Sequence, residues 1–350
     1  MVPGEEKNVA KLSKLYESYG YMRFKMSRFE EYDTYVKNKA FLTSDNVITF
    51  TDTNGKLMAL KPDVTLSIVK NSKDDIGFAQ KVYYNENVYR VSGDSHAFKE
   101  IMQSGLECIG AVGKYEIAEV ITVALESLSL LAEEYVLDLS HLGIIASIVD
   151  GCKLSADAKT ELLTCFGSKN VCGAEEILER ENVSKEYADR IVRLMGCNGG
   201  KNEVLPLLKE ISDEKTLPYV EELEKVLSVL PDKNIRIDFS VINDMRYYNG
   251  IVFQGFVKDV PKCVLFGGQY DLLLKKMRRN SKAIGFAVYL DELKEQTARG
   301  ADVDDLIVYG ENADLIEISN LAKGLREQGR KVLVQKSLPA GVSYGNIIEL

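Results

Sequence analysis

"NVYRVSGDSHAFKEIMQSGLECIG", residues 87–110, is the stretch on which the fold turns. It reads as two extended segments joined by a polar turn. "KVYYNENVYRV" (81–91) is rich in β-branched and aromatic residues and closes on Arg90, and "SGLECIGAV" (104–112) continues the returning strand. On that strand Gln103 and Glu107 stand four apart, which at a period of two places both on one side of a sheet. Two polar groups on one face of a central strand need partners if they are buried. A bound polar ligand would satisfy them, and so would solvent on an open face.

Outward from this pair the pattern is that of a mixed fold. Residues 5–19 have helical apolar spacing. "NVITFTDTNGKLMALKPD" (46–63) reads as a hairpin, with alternating runs on either side of Asn54-Gly55. "KYEIAEVITVALESLSLLAEEY" (114–135) puts Ile117, Val120, Ile121, Ala124, Leu125, Leu128 and Leu131 on one helical face. From about 142 to 230 Leu-, Glu- and Lys-rich helical stretches alternate with breaks such as "GCNGG". Strands return in "IRIDFSVI", "YYNGIVFQGFV" and "KCVLFGGQYD" (235–271), and the tail repeats a βαβ grammar in "LIVYG", "ADLIEISNLAKGLREQG" and "KVLVQK" before ending on "GNIIEL". The expectation is an α+β core on an antiparallel sheet flanked by helices, with a helical insertion over about 142–230 and a short C-terminal βαβ unit over 303–350.

Composition bounds the function. The chain has 350 residues, is 45% hydrophobic and 28% charged, and carries a net charge of −9. That is a globular profile with a core, and its acidity argues against a nucleic-acid surface. No hydrophobic leader and no run of membrane-spanning length is seen, so a cytoplasmic location is expected. Cys108, Cys152, Cys165, Cys172, Cys197 and Cys263 lack paired spacing and the only histidines are His96 and His141. Reduced thiols and no metal are therefore expected. Phosphate-loop, dinucleotide and nucleophile-elbow motifs are missing, and no cofactor is expected.

Four further stretches carry side chains suited to a site. In "ALKPDVTLSIVK" (59–70), Asp63 and Thr65 follow Pro62 and pair a carboxylate with a hydroxyl, which suits a ligand ammonium and equally suits a helix cap. In "INDMRYYNGIVFQGF" (242–256), Tyr247 and Tyr248 suit a pocket wall or ordinary strand packing. Gly267 and Gly268 permit close backbone approach, and "KKMRRNSK" (275–282) places five cations in eight residues, as a solvated loop or a partner surface. "AIGFAVYLDEL" (283–293) offers small residues around Gly285 and then two acids, Asp291 and Glu292.

In this order the stretches resemble histidyl-tRNA synthetases and their relatives, over about residues 5–300. "LKPDVT" is similar to the family's R-P-[ED]-x-T, "VYR…FKEIMQSGLECIG" to motif 2 of the class II synthetases, "RYYNGIVF" to the histidine motif, "FGGQYDLLL" to G-G-R-Y-D-x-L, and "AIGFAVYLDEL" to motif 3. The resemblance implies a class II synthetase-like core over 1–300, a possibly truncated anticodon-binding-like unit over 303–350, and a histidine-like pocket of Asp63, Thr65, Arg90, Gln103, Glu107, Tyr247 and Tyr248.

The departures fall at the nucleotide end. Glu292 stands where motif 3 has an arginine, Tyr289 where it has a glycine, Asn243 where an arginine precedes the histidine motif, and Arg246 where that motif has an aspartate. The motif 2 loop "VSGDSHAF" is one residue short, and motif 1, "KMSRFEEYD", lacks its proline. At about 4 Å and an effective dielectric near 20, the reversal at Glu292 turns about 4 kcal/mol of attraction for a phosphate into similar repulsion. Asn243, Tyr289 and Glu292 thus mark a degenerate nucleotide site without catalysis. One branch of relatives, the regulatory subunits of ATP phosphoribosyltransferase, is similar in "PDVT", "VYR" and "SGLECIG". That branch implies a short-form catalytic partner, a homodimer through residues 25–40 inside a hetero-oligomer, histidine as effector, and no tRNA. The alternatives are a divergent enzyme that still forms an aminoacyl-adenylate, and an amino-acid sensor with another partner.

Overall fold

The computed structural model describes residues 3–36, 47–91, 97–242, 247–293, 303–338 and 343–350. They fall into two compact units, one within 8–292 and one formed by 293–350 with the residues up to Lys7.

The larger unit is built on one sheet. The chain enters through α1 (Pro3–Ser18) and passes β1 (Met22–Arg23), β2 (Phe29–Glu31), α2 (Tyr32–Val36), β3 (Thr49–Thr51) and β4 (Leu57–Leu60). The expected hairpin is β3 and β4, antiparallel, with Gly55 at φ 80° in its turn. β4 also pairs with β2, giving a small sheet ordered β2-β4-β3. After α3 (Thr65–Asn71) come the two long strands read from the sequence, β5 (Ala79–Val91) and β6 (Phe98–Gly110), antiparallel over their whole length. α4 (Lys114–Leu131) follows, with the Gly113 N–H donating to the Glu116 carboxylate at 2.8 Å as its cap.

The expected helix over 114–135 stops short. Residues 135–141 form β7 (Tyr135–His141), a central strand. The helical segment then runs through α5 (Leu142–Gly151), α6 (Ala156–Ser168), α7 (Val171–Arg180), α8 (Lys185–Met195), a two-residue β8 (Asn198–Gly199), α9 (Lys201–Ile211) and α10 (Leu217–Leu227). His141 caps α5, its Nδ1 accepting the Gly143 N–H at 3.1 Å. The Lys169 Nζ lies 2.7 Å from the Asp238 carboxylate and ties the α6–α7 turn to the sheet. The chain completes the sheet with β9 (Ile235–Asp238), β10 (Ile251–Val257), β11 (Leu265–Gln269), α11 (Asp271–Lys276) and β12 (Lys282–Tyr289).

The nine strands are ordered β1-β5-β6-β12-β11-β10-β7-β9-β8, antiparallel except for the β1–β5 and β7–β9 pairs. Alternation gives the sheet two distinct faces. One packs against α1 and α4: the Tyr16 and Phe286 rings meet edge to face at 6.0 Å, and a side chain at Gly255 would collide with Leu128. The other carries Arg90, Gln103, Glu107 and Tyr289 toward α3 and the 247–249 turn.

The smaller unit has β13 (Val303–Val308), α12 (Leu315–Glu327), β14 (Val332–Gln335) and β15 (Tyr344–Glu349), with the strands parallel in the order β14-β13-β15. The final "GNIIEL" is therefore a paired strand, beyond the βαβ grammar read from the sequence. Leu306 and Ile307 form its buried centre, and Arg330 Nη2 donates to the buried Asp305 carboxylate at 2.6 Å.

Candidate functional site

The site is built around Glu107. Cross-strand register sets Glu107 opposite Gly285 and Gln103 opposite Tyr289 on β12, while on β5 they face Val82 and Glu86. A Cβ at Gly285 would lie 1.8 Å from Glu107 Oε2. The glycine of "AIGF" therefore makes room for the protein's own carboxyl group, which lies flat across β12. Gly105 does the same for Tyr84, whose hydroxyl would be 2.6 Å from an added Cβ.

Glu107 is buried, and its two oxygens accept hydrogen bonds from Thr65 Oγ1 at 2.6 Å and Tyr270 Oη at 2.5 Å. Burial pushes its carboxyl up to about 8; the two hydroxyl donors work against this, and the nearby Asp63 charge adds to it. Asp63 is half-buried and accepts the Leu66 N–H at 2.8 Å, so it caps the first turn of α3. Burial raises the Asp63 carboxyl as well, opposed by the Leu66 N–H and the Arg90 charge. The cap reading of "PDVT" holds at Asp63, while Thr65, the first helical residue, reaches across to the strand carboxylate.

Tyrosines wall this carboxyl pair. The Tyr247 ring packs 4.6 Å from Tyr248 and 5.7 Å from Tyr270, centroid to centroid. Burial drives the phenols of Tyr84, Tyr247, Tyr248 and Tyr270 well above their ordinary range, and the charges of Glu107 and Asp63 push the first three in the same direction. The Arg90 Nε donates to the Pro62 carbonyl at 3.1 Å, and its charge opposes the rise that burial imposes on the Tyr289 phenol. Gln103 is 3% exposed, and its Nε2 donors have no partner among the described residues.

The structure thus brings Asp63, Thr65, Arg90, Glu107, Tyr247, Tyr248 and Tyr289 into one cluster, with the Gln103 amide on the adjoining row of the sheet. Glu292 pairs instead with Lys262 at 3.1 Å. Asn243 and Arg246 lie outside the described residues, as do His96, most of the motif 2 loop and the end of the 25–40 segment. Sequence reasoning missed Tyr270, the second donor to Glu107, although it sits inside the quoted "FGGQYD". It also missed Lys61, the family's arginine position in "LKPDVT", which is fully buried with its Nζ 2.8 Å from Glu86.

The chemistry of the cluster is specific. A buried carboxyl group that keeps its proton and a half-buried one face one guanidinium, so a cation can enter as Glu107 gives up its proton, and hydroxyls and rings suit a polar aromatic group. An unpartnered amide donor calls for an acceptor such as a carboxylate oxygen.

Comparison with known proteins bears on the family and the fold. Residues 4–293 match the histidyl-tRNA synthetase family model. An ATP phosphoribosyltransferase regulatory subunit of Caldanaerobacter subterraneus subsp. tengcongensis is 30% identical, covering 81% of this chain and 76% of the relative. One of Oceanobacillus iheyensis is 27% identical over 97% of this chain and 87% of its own. A histidine–tRNA ligase of Methanococcus maripaludis is 26% identical over 96% and 84%. Among solved structures, an ATP phosphoribosyltransferase regulatory subunit/histidyl-tRNA synthetase from Bacillus halodurans superimposes with a TM-score of 0.81 at 24% identity, covering 99% of this chain and 94% of that one. An ATP phosphoribosyl transferase complex from Thermotoga maritima has a subunit that superimposes at 0.64 and 19% identity, covering 81% and 96%. The chain therefore belongs to the histidyl-tRNA synthetase family, on the branch of the ATP phosphoribosyltransferase regulatory subunits.

Proposed function

We propose that this chain is a non-catalytic, cytoplasmic regulatory subunit that assembles with a short-form ATP phosphoribosyltransferase, raises its turnover, and carries feedback inhibition by histidine bound at the Glu107 site. The observation that carries the ligand is the buried carboxyl group of Glu107, held by Thr65 and Tyr270 on the same sheet face as the unpartnered Gln103 amide. A zwitterion with an imidazole matches it: the cationic groups toward Glu107 and Asp63, the carboxylate toward Arg90 and Gln103. The partner is argued from the names of the Oceanobacillus, Caldanaerobacter and Thermotoga relatives.

The lack of catalysis is argued from the nucleotide end. Glu292 is paired with Lys262 where the family has an arginine, and Tyr289 fills the place of a glycine. A homodimer is supported by the small sheet, which leaves Phe29, Phe50 and Leu57 exposed, with Val36 beside it. Residues 303–350 are read as a short anticodon-binding-like unit that grips no tRNA.

The test is to mix the chain with a short-form transferase from the same source and measure turnover with and without histidine. Activation that histidine suppresses is the expected result; no co-elution and no change in turnover would refute the assignment. The Methanococcus ligase favours a second reading, an aminoacyl-adenylate-forming enzyme. Histidine-dependent exchange of pyrophosphate into ATP would establish that one instead.

A further inference from the structure

Tyr289 stands where the family has a glycine, and its surroundings give it a task. It lies directly across β12–β6 from Gln103, and on the other side of Gln103 the same row continues to Glu86, which is paired with Lys61. Its ring packs edge to face on Phe266, with centroids 5.7 Å apart, and its backbone N–H is bonded to Val264. The ring is therefore seated against Phe266 on a strand that is itself paired. The Arg90 charge acts on its hydroxyl, while the Arg90 Nε is committed to the Pro62 carbonyl. A guanidinium offers no acceptor, so the phenol's own proton is left for another acceptor. The Gln103 Nε2 donors beside it are buried and unpartnered.

We propose that Tyr289 is the specificity-determining residue of this site: with Arg90 and Gln103 it forms a fixed carboxylate-binding end, and its ring shuts that end to a nucleotide. This rests on the reading of the Glu107 cluster as an amino-acid site. An α-carboxylate would accept from the Tyr289 hydroxyl, an Arg90 terminal nitrogen and the Gln103 amide. Charge-assisted bonds from groups already fixed lose little entropy on binding. The chain thus holds the ligand's carboxylate without the arginine that Asn243 replaces. A nucleotide finds at that end a phenol ring and the Lys61–Glu86 pair instead of open space.

The test is calorimetric titration of the full chain with L-histidine and with histamine, which keeps the imidazole and ammonium and lacks the carboxylate. Tyr289→Phe removes one hydroxyl and keeps the ring. L-histidine is expected to bind the variant about tenfold more weakly or worse, and histamine to bind it as it binds the parent. Unchanged L-histidine binding, or equal weakening of both ligands, would overturn the role of Tyr289. If the parent chain binds neither ligand, the amino-acid reading of the site itself fails, and this inference with it. Retained histamine binding also shows that the variant is folded.

Discussion

Replacing Glu107 by glutamine tests the electrostatics of the site without reference to any ligand. The carboxyl titrates at about 8 in the folded chain against an ordinary 4.5. Between those values the folded state holds a proton that the unfolded state has lost. Stability from this group is thus fully present below about pH 4.5 and is lost as pH rises through 8. The slope is about 1.4 kcal/mol per pH unit, and the whole loss about 4 to 5 kcal/mol. Glutamine has the shape of the protonated acid and does not titrate. Its amide nitrogen meets one of two hydroxyl donors, Thr65 or Tyr270, so one hydrogen bond weakens and the variant starts about 1 kcal/mol less stable at pH 5. By pH 8 the order reverses, and Glu107→Gln is the more stable by about 3 kcal/mol. Urea unfolding of both proteins at pH 5, 6, 7 and 8 measures this, and titrations common to both cancel in the difference. Parallel stability curves would show that the burial and charge argument for Glu107 is wrong.

The same carboxyl sets the proton balance of binding. At pH 7 it is mostly protonated, so a cationic ligand should release close to one proton, read from calorimetry in buffers of different ionisation enthalpy. Gly285→Ala should cost about 2 kcal/mol or more and abolish ligand binding, because its Cβ would lie 1.8 Å from Glu107 Oε2 and 2.5 Å from the Leu106 carbonyl; thermal unfolding and titration check the two parts. Lys61→Met should destabilise by about 3 kcal/mol and Lys61→Met with Glu86→Gln by much less, since the single change strands a carboxylate that the double change removes. A double-mutant cycle on urea unfolding decides that.

Local patterns made most of the fold legible. Asn54-Gly55 marks a turn by its chemistry, and the face of α4 by its spacing. Strand β7 was hidden because "YVLDLSH" follows α4 without a Gly or Pro break, and its parallel partner β9 begins almost a hundred residues later. The closing strand β15 was hidden for the same reason, as its pairing with β13 is parallel and non-local. At the site, alternation put Gln103 and Glu107 on one face, and family motifs supplied most of their neighbours. No local rule reveals that Thr65 and Tyr270 meet on the same carboxylate, since their separations from Glu107 are 42 and 163 residues. "KKMRRNSK" reads as a solvated loop or a partner surface; Lys275, Lys276, Arg278 and Lys282 are exposed, while its inner side is pinned, with Asp74 accepting the Ser281 N–H and hydroxyl and Arg279 donating to Ser72 at 2.7 Å.

The two ends of the proposed site carry opposite electrostatic character. An activating enzyme must hold a carboxylate against a triphosphate, which requires cations at the point where both negative groups meet. Here that end carries Tyr289 on the sheet, a Lys61–Glu86 pair already neutralised, and Glu292 tied to Lys262. The other end keeps two carboxyl groups side by side, one of them, Glu107, so deeply placed that it holds its proton at neutral pH. A site of this kind gives up a proton in exchange for a cation, and the free energy of that exchange grows as pH approaches 8. Binding without chemistry is what feedback requires: the occupant must leave unchanged, and its affinity must differ between two states of the assembly. On the proposed reading the cation-demanding end at Glu107 is what lets a synthetase-like fold serve as a reversible sensor.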